Sequence, residues 1–221
     1  MFDAIAPTYE RINRVVSLGR DATWRQEAIL AARARADDVV LDVCCGTGDM
    51  IRVFAAGTPP PKLILGVDFA RRMLGHGQYD DLRTRVQLVR ADALRLPLAD
   101  ETVDVISCAF GVRNFQDLAA GLCEMQRVLR PGGRVVILEF ALPENRLLRW
   151  AYRAYCERVL PGLAALISRD KTGAYRYLPS SIRTFERREA MVGRLERAGF
   201  ARVTAKPLNF GGVVIYGGDR V

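Results

Sequence analysis

Histidine, lysine and long apolar runs are scarce in this sequence, and each shortage excludes a class of function. His76 is the single histidine among 221 residues, so the chain has almost no material for a histidine-rich zinc site or for a Ser–His or Cys–His catalytic pair. No run of about 18 uncharged apolar residues occurs, and the first residues lack the basic head and apolar stretch of a signal peptide. We therefore expect a cytoplasmic protein without a metal centre, whose chemistry comes from Asp, Glu, Arg, Tyr and a bound cofactor.

Cysteine is present, but in a pattern that does not favour disulfides. The five cysteines are an odd number and form no Cys-x-x-Cys pair, and two of them are adjacent in an apolar pattern typical of a strand. Disulfide frameworks are unusual in cytosolic proteins. We expect reduced core thiols at Cys44, Cys45, Cys108, Cys123 and Cys156.

Charge is distributed unevenly along the chain. Apolar residues make up 50% and charged residues 26%, as in a soluble globular protein, and this length suits a single domain. The net charge is +8, yet residues 146–221 alone hold 15 Lys and Arg against six Asp and Glu. This basic excess either faces nucleic acid, anionic lipid headgroups or an acidic ligand, or it is a solvated surface in a chain that prefers arginine to lysine.

Short apolar runs alternate with helix-length segments through the middle of the chain. In the segment 116–129, Leu118, Leu122, Met125 and Val128 recur at three- and four-residue spacing, which indicates an amphipathic helix. Strand–helix alternation predicts a parallel sheet with helices on both faces, and strands rich in Val, Ile and Leu agree with burial on both sides. Five strands are predicted at residues 39–43, 63–68, 86–89, 103–107 and 134–138.

The predicted fold class is α/β, a doubly wound, Rossmann-like sheet of seven mostly parallel strands in one domain over residues 1–221. The Pro-Gly-Gly sequence at 131–133 indicates a break between the fourth crossover helix and the fifth strand. Charges and a Pro-Gly pair within residues 147–167 exclude a membrane span and favour an amphipathic helix with a hydrophobic turn after it. The domain divides into an amino-terminal helical cover (1–35), a central core (36–145) and a last part (146–221) with a helix at 187–198 and strands at 202–205 and 213–216.

A glycine-rich turn follows the first predicted strand. Asp42 lies near the end of that strand, and Gly46 and Gly48 lead into a helix, at the carboxyl end of a parallel strand where doubly wound sheets bind ligands. Asp68 closes the second strand 20 residues after Gly48, the spacing at which an acidic side chain accepts hydrogen bonds from ribose hydroxyls. The turn alone is a weak signal, but together with these carboxylates it predicts a nucleoside cofactor.

The residues around the turn favour S-adenosylmethionine over a dinucleotide. Ile51 stands where a dinucleotide fingerprint has its third glycine. The Asp42 carboxylate would repel a pyrophosphate, whereas it suits the ammonium group of a methionine moiety. Asp92 and Ala93 end the third predicted strand, where they are placed to flank the adenine, with Asp92 accepting from its exocyclic amine.

Two further motifs are more specific than the glycine turn: Phe-Gly-Val-Arg-Asn at 110–114 and Tyr-Arg-Tyr-Leu-Pro-Ser-Ser-Ile at 175–182. With them, the sequence resembles the class I methyltransferases that C-methylate quinone rings, the menaquinone and ubiquinone biosynthesis methyltransferase family. The resemblance runs nearly end to end. Its other parts are residues 2–9 with Asn13, 42–49, 66–68, 91–93, 129–134 and 139–140.

This resemblance implies S-adenosylmethionine as the cofactor and C-methylation of demethylmenaquinol to menaquinol as the reaction. It also implies cofactor contacts at Thr47, Asp68, Asp92 and Ala93. Many relatives carry a serine just before the Phe-Gly-x-Arg-Asn motif, where this chain has Ala109, so a backbone group or water has to replace that hydrogen bond. The complete set of expected cofactor-binding residues is Asp42, Gly46, Thr47, Gly48, Asp68, Asp92 and Ala93.

Methylation of a ring carbon needs negative charge on the ring, which the hydroquinone form supplies when a hydroxyl loses its proton. Arg113, expected beside the methyl group at the end of the fourth strand, would stabilise the phenolate or orient a water that takes the proton. Asn114 would hold the same oxygen. Alternatively, Arg113 forms a salt bridge with a nearby acid such as Asp117. A tyrosine would line the ring, relay the proton or only pack against its neighbours. The first candidate is Tyr177, and Tyr9 and Tyr175 are further candidates.

The substrate and partners stay partly open. The polyprenyl hydroquinone is a naphthoquinol, a benzoquinol or both, with the short chain favouring the naphthoquinol. Residues 147–167 would line a groove for the tail, and the basic last third would hold the protein peripherally against anionic lipid at the inner face of the membrane; a homodimer is also open. No nucleic-acid partner is expected, because the Asn-Pro-Pro-Tyr type of motif of base methylases is missing after the fourth strand. A non-catalytic nucleotide-sensing module is compatible with the fold alone.

Overall fold

A seven-stranded sheet forms the centre of the protein in the computed structural model, which describes residues 14, 17, 19–77, 79, 82, 84–154 and 180–221. The strands are β1 (Val39–Val43), β2 (Leu63–Asp68), β3 (Arg85–Arg90), β4 (Val103–Ala109), β5 (Leu129–Phe140), β6 (Phe200–Leu208) and β7 (Val213–Arg220). Their order is β3-β2-β1-β4-β5-β7-β6. The first five are parallel, whereas β7 runs antiparallel to both neighbours. The predicted seven-stranded, mostly parallel sheet is confirmed.

Helices cover both faces of the sheet. The helices with assigned bounds are α1 (Asp21–Ala32), α2 (Asp49–Ala55), α3 (Arg71–Leu74), α4 (Leu118–Val128), α5 (Arg146–Ala154) and α6 (Arg188–Arg197), with 3-10 turns at Val112–Asn114 and Asn209–Gly211. Asp117 caps α4, its side chain accepting a hydrogen bond of 3.0 Å from the amide of Ala120. The periodic residues Leu122, Met125 and Val128 are fully buried, which agrees with the helix predicted from their spacing.

Two cores result from the alternation of side chains along the strands. Val40 and Val105 pack on the face covered by α1 and α2. Leu41 and Ile106, the next residues along the same strands, pack on the face covered by α4 and α6. Because successive strand residues point to opposite faces, continuous apolar runs bury both sides of the sheet and leave only its edges and strand ends for function.

The predicted break at residues 131–133 interrupts the strand pairing as expected, but it lies inside the fifth strand and not before it. β5 begins at Leu129 and includes the Pro-Gly-Gly sequence. Leu129 pairs with Val103, and the register then shifts before Val105 pairs with Arg134. Such an irregularity accommodates a proline, which has no amide hydrogen to donate to a ladder.

The chain ends carry the largest differences from the predicted elements. α1 is the described part of the helical cover expected over residues 1–35, and α5 is the described part of the helix expected in 147–167; the remainder of both segments lies outside the described residues. β6 and β7 are longer than predicted because they pair with each other over most of their length. Among the described helices, none has the length and apolar character needed to cross a bilayer.

Arg134 on β5 fastens the end of α1 to the sheet. Its guanidinium donates to the carbonyl oxygens of Ala32 and, at 2.5 Å, of Arg33, and it pairs with Asp38 at 2.5 Å. The last carbonyls of a helix have no partner within the helix, so Arg134 supplies one. This contact holds the cover helix against the sheet.

The cysteines only partly match the expectation of core thiols. All four described cysteines are free; Cys45 and Cys108 are buried and Cys44 is partly exposed. Cys123 is exposed on α4, so its predicted core position is wrong: it lies between the buried positions of the helix. Cys156 lies outside the described residues.

Candidate active site

The carboxyl ends of β1 to β4 meet at one edge of the sheet, around a cavity of about 360 Å³. β1 lies between β2 and β4, and strands are added on one side of β1 up to β3 and on its other side from β4 onward. Such a switch point is where open α/β sheets bind ligands. Of the predicted site residues, the cavity wall contains Gly46, Asp68, Asp92, Ala93 and Asn114.

The backbone of the turn after β1 leaves room for a ligand. Gly46 and Gly48 have φ angles of +57° and +86°, which residues with a Cβ rarely adopt. No heavy atom lies within 4 Å of where a Cβ on Gly46 would stand. Gly48 instead caps α2 and packs on the ring of Tyr79, so it shapes the turn and is absent from the wall of the large cavity.

Asp68 fixes this turn while facing the cavity. One carboxylate oxygen accepts a hydrogen bond from the amide of Gly46 and the other from the amide of Ala70, each at 2.8 Å. These bonds hold the carboxylate in place while Asp68 forms part of the cavity wall. Asp68 lies at the end of β2, as the sequence predicted.

The adjacent wall combines a polar and an apolar part. Asp92 accepts a hydrogen bond of 2.9 Å from the amide of Leu94, which orients its carboxylate at the cavity. Phe69, directly after Asp68, lines the cavity although its side chain is 68% exposed. The guanidinium of Arg90 lies 5.6 Å from the centre of its ring. Phe69 was not among the predicted site residues. The signal in the sequence is an aromatic residue directly after the acid that is predicted to bind the ribose, because an exposed aromatic ring there can stack on a planar base.

Asp42 lies beside the turn and away from the wall of the large cavity. It is 1% exposed and accepts a hydrogen bond of 2.6 Å from the hydroxyl of Ser107. Burial, opposed by this hydrogen bond and by the charge of Arg25, raises the pKa of Asp42 to about 7. Its second carboxylate oxygen has no partner among the described residues.

Asp42 and Thr47 both line a second, smaller cavity that adjoins the first. The two cavities share Cys44, Gly46 and Ala109 in their walls. The Thr47 hydroxyl is buried and, like the free Asp42 oxygen, lacks a hydrogen-bond partner in the described part of the chain. Since nearly all buried polar atoms in folded proteins are paired, these two atoms fit a polar ligand that enters from the larger cavity.

Arg113 is not the free cation that the sequence suggested. Its guanidinium forms a salt bridge of 2.8 Å with Glu139, and the two side chains are 6% and 0% exposed. Asp117, the alternative partner, caps α4 instead. Burial raises the pKa of Glu139, against the opposing charge of Arg113. Arg113 is absent from the cavity wall, whereas its neighbour Asn114 is part of it.

The Phe-Gly-Val-Arg-Asn segment is held in place by the backbone carbonyl of Phe110. This carbonyl accepts hydrogen bonds from the guanidinium of Arg113 and, at 3.4 Å, from the side-chain amide of Asn114. Phe110 has a φ of +57° and Cys44 one of +58°, each just after a strand that ends at the cavity. Non-glycine residues with such strain cluster at functional sites. Tyr177, Tyr9 and Tyr175 lie outside the described residues, and their roles stay predictions.

Two solved structures with the same architecture are described as S-adenosylmethionine-dependent methyltransferases. One from Thermotoga maritima has a TM-score of 0.68 at 17% identity and covers 100% of this chain and 98% of its own. One from Aquifex aeolicus has a TM-score of 0.67 at 17% identity, with coverages of 96% and 98%. The fold is therefore that of the class I methyltransferases, and the site, with Asp68 and Asp92 in one cavity and unpaired polar atoms in the next, fits S-adenosylmethionine. At 17% identity, these likenesses show the fold.

Sequence relatives narrow this class to one family. The sequence model of the ubiE/COQ5 methyltransferase family matches residues 1–220. A demethylmenaquinone methyltransferase from Thermus thermophilus is 41% identical over 222 residues, covering 100% of both chains. The ubiquinone/menaquinone biosynthesis C-methyltransferase of Geobacter sulfurreducens is 40% identical over 224 residues, covering 100% of this chain and 87% of that protein. The chain belongs to the ubiE/COQ5 methyltransferase family and is a C-methyltransferase.

Proposed function

We propose that this enzyme methylates a ring carbon of a polyprenyl hydroquinone and converts demethylmenaquinol to menaquinol. The observation that carries the proposal is the match, over the whole chain, to relatives named demethylmenaquinone methyltransferase. The cavity agrees with such a substrate. Its wall is largely apolar, as an aromatic ring requires, and Asn114 is a polar group in that wall.

The cofactor spans both cavities in this proposal. Asp68 accepts hydrogen bonds from the ribose hydroxyls, and Asp92 from the exocyclic amine of an adenine that packs against Ala93. Asp42 accepts from the ammonium group of the methionine end, next to the Thr47 hydroxyl and the open backbone at Gly46, in a turn whose shape Gly48 sets. When bound, S-adenosylmethionine supplies an electrophilic methyl group.

Asn114 and Arg113 act on the ring oxygen from neighbouring positions. Asn114, in the cavity wall, donates to the oxygen that loses its proton. Arg113 supplies positive charge that favours the phenolate, and its Nε–H is buried without a partner among the described residues. Glu139 holds that guanidinium in one orientation through the salt bridge. Tyr177 is the remaining candidate to relay the proton.

The step balances as a transfer of one methyl group for one proton. Loss of the hydroxyl proton places negative charge on the neighbouring ring carbon. That carbon forms a bond to the methyl group, while the bond between this methyl and the sulfonium sulfur would break and its electron pair would return to sulfur, releasing S-adenosylhomocysteine. The ring carbon then loses its own hydrogen as a proton while the hydroxyl regains one. One proton per methyl group therefore leaves, and Asn114 and Arg113 stabilise the charged oxygen during the exchange.

The decisive experiment measures transfer of labelled methyl to a short-tailed demethylmenaquinol and to the matching benzoquinol under reducing conditions. We expect label in the naphthoquinol. Arg113→Ala and Asn114→Ala should each lower kcat by about 100-fold, the usual effect of removing one donor from a developing anion, while cofactor affinity stays within about threefold.

Binding of S-adenosylmethionine by titration calorimetry is the control for both variants. An exposed arginine of β5, Arg130→Ala, provides a matched substitution away from the cavity. If the wild-type enzyme binds the cofactor but labels neither quinol, the proposed substrate is wrong. Full activity in both variants would refute their proposed roles.

We also propose that α5 contacts an anionic membrane in which the quinol is dissolved. The helix exposes Leu147 and Trp150 at 73% and 66%, and Phe210, on the turn before β7, is exposed at 83%. Phe210 and Asn145, which precedes α5, line one cavity, so the two elements are adjacent. Apolar side chains beside Arg146 and Arg149 suit the interface of a lipid surface.

Vesicle co-sedimentation tests this contact. Replacing Trp150 and Phe210 together by serine should lower binding to anionic vesicles by about tenfold or more, because each buried aromatic side chain contributes about 1.5 kcal/mol or more. Leu30→Ser removes a comparably exposed apolar side chain from α1 and should leave binding unchanged. Equal binding of all three proteins would remove the membrane contact. A homodimer and the absence of a nucleic-acid partner stay predictions.

A further inference from the structure

The smaller cavity is bordered by three side chains that each carry a buried polar atom without a partner in the described chain. Two are the Asp42 carboxylate and the Thr47 hydroxyl, and the third is the Nε of Arg25. Arg25 comes from α1, the helix that precedes the first strand, and the sequence analysis did not select it. Three such atoms around one cavity call for a ligand with both charges, since each unpaired buried group costs about 1–3 kcal/mol.

Arg25 is buried among acids that leave part of its guanidinium available. Its side chain is 6% exposed, and its terminal nitrogens lie 3.0 Å from Asp21 and 3.0 Å from Asp49. Asp49 has a second cation, Arg52, at 2.5 Å. Asp49 therefore keeps Arg52 as a partner when Arg25 turns from Asp49 toward another anion. This exchange does not leave the Asp49 carboxylate without a cation.

The contents of the cavity match the end of an amino acid. Asp42 on β1 offers a carboxylate for an ammonium group, and Arg25 on α1 offers a guanidinium for a carboxylate, with the Thr47 hydroxyl as a second donor. The cavity itself holds about 20 Å³, the room of one small group. This room therefore takes the ammonium group beside Asp42, the ligand carboxylate takes the place that Asp49 has at the guanidinium, and the rest of the ligand occupies the larger cavity.

We propose that Arg25 binds the carboxylate of the methionine end of S-adenosylmethionine, which makes the cover helix α1 part of the cofactor site. The inference rests on the cofactor and not on the quinol. It has a consequence for the substrate side: the Arg25 guanidinium also lies 5.5 Å from the ring centre of Phe110, the first residue of the segment that carries Arg113 and Asn114. Cofactor binding and the position of that segment are thereby coupled through one side chain.

The test compares two ligands that differ only in the carboxylate, S-adenosylmethionine and decarboxylated S-adenosylmethionine, by titration calorimetry. The wild-type protein should bind S-adenosylmethionine about 10- to 100-fold more tightly, the range for a hydrogen-bonded charge pair. Arg25→Met should remove this preference. The affinity for S-adenosylmethionine should fall by that factor, and the affinity for the decarboxylated ligand should change by less than about threefold. Arg25→Lys keeps the charge without the planar fork and should recover only part of the preference.

Two further variants keep the result interpretable. Arg25→Met leaves Asp21 without its cation, so a double variant that also carries Asp21→Asn removes the unpaired charge. The double variant replaces the single one in the measurement if thermal melting shows that the single variant does not fold. Arg33→Met, an exposed arginine at the other end of α1, should retain the wild-type preference. A wild-type protein that binds both ligands equally, or a folded Arg25 variant that weakens both ligands by the same factor, would overturn the proposal. Failure of quinol methylation with the preference intact would contradict only the proposed substrate.

Discussion

Burial decides what Asp42 can do at the end of β1. Folding favours its protonated form, because burial raises the pKa from 3.8 to about 7. Its contribution to stability is therefore fully present below pH 3.8 and is lost as the pH rises through about 7. An ammonium group beside the carboxylate reverses this preference, since an opposite charge favours the ionised form. The groups that face Asp42 are Ser107, Arg25, Asp68 and Asp49.

Cofactor affinity should depend on pH through this one carboxyl group. Below pH 7 binding has to displace a proton from Asp42, so the dissociation constant for S-adenosylmethionine should rise by up to about tenfold for each unit of pH lowered. Calorimetry between pH 5.5 and 7.5 measures this slope, below the range in which the ligand's own amino group, with a pKa of about 8, loses its proton.

Asp42→Asn is the control for this pH dependence. The amide carries no charge at any pH, so the variant should bind more weakly at pH 7.5 and with a flat profile. A slope that persists in the variant would assign the titration to another group and contradict the proposed role of Asp42.

At the scale of elements, the attachment of α1 to the sheet depends on Arg134. Arg134→Met should lower the free energy of unfolding by about 3 kcal/mol, because the buried carboxylate of Asp38 and the last carbonyls of α1 then lose their partner. Urea unfolding measures the loss. If α1 belongs to the cofactor site, the variant should also weaken S-adenosylmethionine more than it weakens the decarboxylated ligand.

Arg130→Met is the matched comparison on the same strand. Arg130 pairs with Asp104 at 2.9 Å, but its side chain is 46% exposed, and exposed pairs contribute about 1 kcal/mol or less. Equal destabilisation by both substitutions would mean that Arg134 acts as an ordinary surface residue.

The elements differ in how far the sequence predicted them. Helix α4 and the buried strands follow from periodicity and apolar runs, which are local properties. The start of β5 does not, because the Pro-Gly-Gly sequence has the turn chemistry of a loop, and only pairing of Leu129 with Val103 extends the strand across it. Long-range pairing likewise sets the lengths of β6 and β7.

At the scale of the whole molecule, the basic excess of the last third is partly compensated within the fold. Among the described residues of this part, five cations form salt bridges with acids, and three of these acids precede residue 146. The pairs are Arg188 with Glu144, Arg194 with Glu186, Arg202 with Asp219, Lys206 with Glu27 and Arg220 with Glu101. A count along the sequence therefore overstates the charge available to a membrane or another partner.

Ligand binding at the end of four strands should stabilise the whole molecule. S-adenosylmethionine at 100 times its dissociation constant should add about 2.7 kcal/mol to the free energy of unfolding, a rise in Tm of about 5–10 °C for a chain of this size. NAD at the same concentration should give no rise, since the turn lacks the third glycine of a dinucleotide site. Thermal melting distinguishes the two ligands, and an equal rise with NAD would contradict the cofactor selectivity argued from Ile51 and Asp42.

The sequence by itself determined the fold class, the glycine turn after β1 and the positions of Asp68 and Asp92 at strand ends, because these depend on local patterns: apolar strands, glycines at a strand end and an acid at a set spacing. It also selected Arg113 and Asn114 by motif. Only the tertiary structure decided that Arg113 pairs with Glu139, that Asp42 is buried and that Arg25 lines the same small cavity as Asp42. Those three facts depend on which side chains the sheet brings together from distant parts of the chain, and burial and pairing, which set charge and pKa, exist only after that assembly.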